Sequence, residues 1–206
     1  MKAESVAFAV AGMCFGIILG WLLATQDANR PNPFLATPAP AASTAAPAPA
    51  PTAARQPPPL DETRVATLKA AIEKDPRNAA NYTQLGNVYF DAEQWAPAID
   101  SYERSLKLNP NDPDVSTDLG VSYFYTNRTD EALTQFERSL KLNPQHTKTL
   151  LNKGVVLAFG KENLEAAANE WKRVVELAPE SPEGQQARRL LEGVAAAHAQ
   201  QGTTNQ

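Results

Sequence analysis

The sequence has little of what enzymes use. It holds one cysteine, Cys14, inside an apolar run, so no intramolecular disulfide can form. It holds two histidines, His146 and His198, and neither has a partner at ligand or base spacing along the chain. No phosphate-binding glycine loop and no nucleophile elbow occurs. The acidic run from Asn111 to Asp114 reads more simply as helix capping than as calcium ligation. Catalytic residues, a metal and a cofactor are therefore not expected, and the chain is read as a non-enzyme. Lysine and arginine total 19 against 23 acidic residues, for a net charge of −4 that is mixed along the chain. No basic stripe can neutralise a phosphate backbone, which excludes nucleic acid as the expected partner.

Proline is plentiful but local. Ten of the 17 prolines lie between Pro31 and Pro59, and this divides the 206 residues into three parts. Residues 1–30 form the first. From Val6 to Ala24 run 19 uncharged residues, with Trp21 near the far end. As a helix they span roughly 28 Å, close to the hydrocarbon thickness of a bilayer. A cleaved signal peptide would have a shorter apolar core and small residues before a cut, so the run is expected to remain as a transmembrane anchor. Gly12, Gly16, Gly20 and Ala24 fall on one face of that helix, a pattern that lets two membrane helices approach closely. Pairing with a second copy, giving a homodimer, or with a partner's membrane helix is expected there. The short, lysine-bearing N-terminus is expected to stay in the cytoplasm, with the remainder exported.

Residues 31–59 form the second part, with 20 of 29 residues proline or alanine and Arg55 the sole charge. Such a segment buries too little apolar surface to offset its ordering entropy, so a disordered, extended spacer is expected.

The third part, 60–199, repeats at a period of 34 residues. Leu85-Gly86 recurs as Leu119-Gly120, Tyr89 as Tyr123, Ala98 as Ala132, and Tyr102 as Phe136. Ser-Leu-Lys-Leu-Asn-Pro at 105–110 reappears unchanged at 139–144. Gly154, Ala167, Trp171 and Pro179 mark a third copy, with one residue inserted near 160–163. Gly86, Gly120 and Gly154 imply close approach of paired helices. Prolines 110, 144 and 179 end each second helix, Asp112 caps the helix begun by Pro113, and Asn127 suits a left-handed turn position.

The repeats are placed at 79–112, 113–146 and 147–181. A half-repeat at 61–76 precedes them, and a solvating helix at 182–198 follows. In that last helix Ala187, Leu190, Leu191 and Val194 face inward, while Gln186, Arg188, Arg189 and Glu192 face water. Residues 200–206 are expected to be a disordered tail.

The run Tyr82-x2-Leu85-Gly86-x2-Tyr89, then Ala98-x3-Tyr102, then Pro110 resembles the tetratricopeptide-repeat (TPR) family. The resemblance implies an all-α solenoid of antiparallel helix pairs. It also implies a concave groove, lined by the first helix of each repeat, that receives a protein or peptide segment. Carried over residue by residue, that groove comprises Thr83, Asn87, Phe90 and Asp91, then Asp114, Thr117, Val121, Phe124 and Tyr125, then Lys148, Leu151, Val155 and Phe159. Some family members grip a C-terminal carboxylate. Only Asn87 and Lys148 match that set, whereas Thr83, Asp118 and Asn152 do not, so a partner with hydrophobic anchors is expected instead. Anchor, spacer and repeats in this order resemble bacterial envelope proteins, including those of c-type cytochrome maturation. This implies an inner-membrane scaffold with its repeats in the periplasm. A membrane-surface holdase for exported unfolded chains is the alternative.

Overall fold

A computed structural model describes residues 57–204, with side chains described as far as residue 196. The anchor with Gly12, Gly16, Gly20 and Ala24, and nearly all of the proline-rich spacer, lie outside the described residues. The chain divides after Pro57. Among the described residues all regular structure is helical, and no helix is long and apolar enough to cross a membrane.

Among the described residues eight helices follow one another. They are α1 (Glu62–Lys74), α2 (Ala79–Asp91), α3 (Trp95–Leu108), α4 (Pro113–Tyr125), α5 (Thr129–Leu142), α6 (Thr147–Gly160), α7 (Leu164–Leu177) and α8 (Pro182–Thr204). Helices α2 and α3, α4 and α5, and α6 and α7 pack as hairpins; α1 packs on the first and α8 on the last. Each element also meets the next along the chain, and α6 meets α4 and α8.

Local chemistry sets these boundaries. The carboxylate of Asp61 accepts from Arg64 N at 2.9 Å, and that of Asp112 from Val115 N at 3.0 Å. The side-chain carbonyls of Asn78 and Asn163 do the same for Ala80 N and Ala166 N. Each cap satisfies an amide that has no partner within its own helix. Asp75, Asn109, Asn143 and Ala178 each precede a proline and leave helical geometry there. The tight turns within the hairpins place Glu93, Asn127 and Glu162 at φ 57°, 63° and 55°. Asn127 thus takes the left-handed position expected of it. The inserted residue is absorbed at the third turn: Asn163 N donates to Leu157 O, six residues back, where Gln94 and Arg128 reach back five.

The glycines of the repeat are small for a reason the sequence reading left out. A Cβ on Gly86 would lie 2.5 Å from the Tyr102 ring, and one on Gly120 would lie 2.6 Å from the Phe136 ring. Gly154 would collide in the same way with Trp171. An aromatic ring of the second helix fills each glycine's vacant side, so those rings close their own hairpin. Tyr102, Phe136 and Trp171 are accordingly buried, together with Ala98, Ala132 and Ala167.

Two expectations at the C-terminal end are corrected. Helix α8 runs to Thr204, beyond the expected end at 198 and into the expected tail, because Ala195–Gln201 contains no glycine or proline and alanine is the strongest helix former. Gln186, expected to face water, is buried beside Ala187, and its Oε1 has no hydrogen-bond partner.

Candidate peptide-binding face

The first helices α2, α4 and α6 carry every groove residue inferred above. Their side chains divide into three groups by exposure. Asn87, Asp91 and Asp114 are exposed; Thr83, Val121, Phe124, Tyr125, Lys148 and Phe159 are half-buried. Phe90, Thr117, Leu151 and Val155 are buried within the fold and cannot meet a partner as it stands. These four were carried over from the family resemblance, and packing places their side chains inside the fold.

Phe90 meets Trp95 edge-on at 5.2 Å, an arrangement favoured by the ring quadrupoles. Trp95 stacks in turn on Tyr125 of the next repeat, with centroids 4.3 Å apart and planes within 8°. Tyr125 is therefore a structural bridge between repeats before it is anything else. Burial, then the nearby Glu93 carboxylate, pushes its phenol up to about 12. Sequence reasoning passed over Trp95 because it lies outside the first helices.

Thr117 belongs to a buried hydroxyl network. Its Oγ1 lies 2.6 Å from Thr149 Oγ1 and 3.1 Å from Ser139 Oγ, and Ser139 and Thr149 are 2.7 Å apart. His146 extends the network, with Nδ1 2.5 Å from the Thr149 hydroxyl and Nε2 3.2 Å from Asp114 Oδ1. The histidine read as lacking a partner thus has two: Thr149, three residues further along the start of α6, and Asp114 at the start of α4. A carboxylate can only accept, so Nε2 of His146 is the donor to Asp114. Carboxylate, imidazole and hydroxyl in line share the connectivity of a hydrolytic triad. Thr149 is wholly buried, however, and its hydroxyl is engaged on three sides, so no substrate atom reaches it. The array holds repeats together.

The charged centre of the face is Asp118 with Lys148, Oδ1 to Nζ 2.7 Å, at 16% and 32% side-chain exposure. Burial raises the Asp118 carboxyl above its ordinary range, and Lys148 pulls it back without cancelling the effect. Burial lowers the Lys148 ammonium, but Asp118 and then Asp114 outweigh that and carry it above its ordinary value. Asn152 Nδ2 donates to the Lys148 carbonyl at 2.8 Å. Asn87 Oδ1 accepts from the Tyr102 hydroxyl at 2.9 Å. That phenol is raised well above its usual range by burial and then by Asp118 and Asp91. Among the described residues no three His, Cys, Asp or Glu side chains are grouped to hold a metal.

Residues 86–127 match the family model for the TPR repeat, and residues 117–182 match that for the tetratricopeptide repeat. The repeat region belongs to the tetratricopeptide-repeat family. Its TPR fold is also seen in solved structures. The first TPR domain of human RPAP3 is 26% identical over 60% of this chain and 98% of that one, with a TM-score of 0.52. The first TPR of Spaghetti (RPAP3) bound to an HSP90 peptide, SRMEEVD, is 27% identical over 59% and 96%, with a TM-score of 0.51. MamA from Desulfovibrio magneticus RS-1 shares the fold, at 18% identity over 59% and 68% and a TM-score of 0.54. No curated protein matches the chain in sequence.

Proposed function

We propose that the chain is a membrane-tethered adaptor whose TPR domain binds a partner polypeptide across α2, α4 and α6. The observation that carries this reading is the mixed surface those helices leave open. On those helices polar Asn87, Asp91 and Asp114 are exposed, and the apolar and aromatic side chains of Val121, Phe124 and Phe159 are half-exposed. Such a surface offers hydrophobic anchorage together with directional polar contacts to an extended or helical segment. The RPAP3 domain bound to a peptide lends the reading support, since both are TPR domains of comparable extent. Residues 6–24 supply the tether and 31–59 the spacer. The repeats then work on the exported side of a bacterial inner membrane, in assembly of an envelope complex of the kind that matures c-type cytochromes.

A photo-crosslinking amino acid at Asn87 of the full-length membrane-inserted protein tests the site, with Glu137 on the second-helix side as control. Capture of one or a few partners from position 87 and not from 137 is the expected result. Equal capture from both places the interface elsewhere. Weak capture of many unrelated denatured chains would make the protein a holdase instead. Alkaline phosphatase fused after Gln206 should be active if the repeats are exported; an inactive fusion reverses the topology.

A further inference from the structure

A crevice of about 190 Å³ opens between the second helices α3 and α5 and the first helix α4. Buried Leu106 and Leu119 give it an apolar base, and Glu103, Lys107, Gln135 and Arg138 stand around them. Small-molecule sites run from roughly 300 Å³ upward, so this one suits a single side chain of a partner rather than a free metabolite. Of its three charged residues only Glu103 is an acid, and its carboxylate already accepts from the Tyr123 hydroxyl at 2.6 Å. Arg138 donates to the Pro110 carbonyl at 2.8 Å. Neither Arg138 nor Lys107 has an ion-pair partner among the described residues. The next repeat shows what such a place takes. There Glu170 stands where this repeat has Gln135, and Lys153 where it has Leu119. Glu170 is held from two sides, by Lys153 at 2.8 Å and by Arg173 at 2.8 Å. Arg173 in turn reaches the Pro144 carbonyl as Arg138 reaches that of Pro110. Arg173 thus finds its acid within the chain, whereas Arg138 has an amide in the acid's place.

From this comparison we infer that the crevice is a second docking site, which takes an acidic amphipathic segment of a partner protein. A leucine-sized side chain of that segment enters against Leu106 and Leu119. An adjoining aspartate or glutamate then plays toward Arg138 and Lys107 the part that Glu170 plays toward Arg173. The charges are complementary, with two cations facing one acid that is already engaged, and charge-assisted hydrogen bonds to an arginine fix the carboxylate's position. The inference goes beyond the adaptor reading and does not rest on it, because the crevice shares no residue with the groove inferred on α2, α4 and α6. Glu137, although on α5, is outside the lining.

The test uses full-length protein in detergent and two fluorescent helical peptides that share one leucine. One peptide carries glutamates beside it and the other carries glutamines. The wild type should bind the glutamate peptide about fivefold more tightly at low salt, with the ratio shrinking at high salt. Gln135→Glu copies the second arrangement into the first and should bring the ratio to parity or below. It keeps the fold, because a glutamate can still accept the Ser116 hydroxyl that Gln135 Oε1 accepts at 3.1 Å. Equal binding of the two peptides by wild type overturns the inference, as does binding of neither. A ratio unchanged in folded Gln135→Glu overturns it as well. If Gln135→Glu does not fold, exposed Lys107→Gln decides: a lowered ratio supports the inference and an unchanged one removes it. Crosslinking from Asn87 reads the adaptor groove separately, so its failure leaves the peptide result standing.

Discussion

The junction between the first and second repeats and the junction between the second and third use the same helix plan and opposite chemistry. At the first, Trp95 stacks on Tyr125, and the Tyr123 hydroxyl donates to Glu103 at 2.6 Å beneath the Arg128 guanidinium. At the second, Thr149 ties Thr117 to Ser139, His146 reaches Asp114, and ion pairs join Lys148 to Asp118 and Lys161 to Asp130. Two substitutions within the repeat account for the change. Where the first repeat has Trp95 the second has Thr129, which offers no ring for Phe159 to stack on. Where the second repeat begins with Val115 the third has Thr149, which brings a third hydroxyl into the Thr–Ser pair. Identical Ser-Leu-Lys-Leu-Asn-Pro segments lead into both junctions, so the conserved part of the repeat builds the hairpin and the variable part decides how hairpins adhere.

The largest expected effect tests what the junctions have in common. Gly120→Leu drives a side chain into Phe136 and should cost about 3 kcal/mol or more, whichever junction is then read. An unchanged denaturation midpoint would show that the ring can leave the glycine without loss. The comparison itself is sharpened by Tyr125→Ala, which removes the stack and part of a buried ring at about 2–3 kcal/mol. An undiminished melting temperature would make Tyr125 a purely recognitional residue. Thr149→Val is the counterpart at the second junction. It leaves Thr117, Ser139 and His146 each short of a buried partner, for about 1–2 kcal/mol. Stability unchanged in both variants would mean that neither chemistry matters and hairpin packing alone suffices.

Alkali should separate the junctions further. Tyr123 and Tyr125 both titrate near 12 in the fold against an ordinary 10.0, so the folded state holds their protons more firmly than the unfolded state does. That contribution is present in full below pH 10 and is lost as pH rises towards 12. Tyr125→Phe should flatten the fall in stability over that window, measured by thermal melts, while Thr149→Val should leave its slope untouched. The smallest effect concerns the turns. Glu162→Gly relieves a left-handed residue and should stabilise by about 1 kcal/mol; Asn127→Gly, where asparagine already tolerates that geometry, should do less. Equal gains at both would remove the steric account.

The hairpins were legible because their rules are local and repeated. Small residues at Gly86, Gly120 and Gly154 and at Ala98, Ala132 and Ala167, and a proline after each second helix, recur at a period of 34 apart from the one inserted residue, although the ring that packs on each glycine came only with the fold. The face was less legible. The family resemblance carried Phe90, Thr117, Leu151 and Val155 over among partner contacts, whereas burial depends on what packs around each position. Asp118 was noted only as a mismatch; its meaning came from Lys148, thirty residues away in sequence but in contact across the junction. His146 shows the same dependence, since Asp114 reaches it only once two repeats stack.

Because each hairpin packs on its chain neighbours, the domain is a linear stack. A domain pulled from its two ends is loaded along that stack. Tension then reaches hairpins one after another, and each that yields releases roughly 34 residues, about 11 nm of extended chain. Single-molecule pulling should give a sawtooth of comparable steps rather than one rupture. The height of each tooth would report the adhesion of one junction, aromatic or polar, read out one at a time.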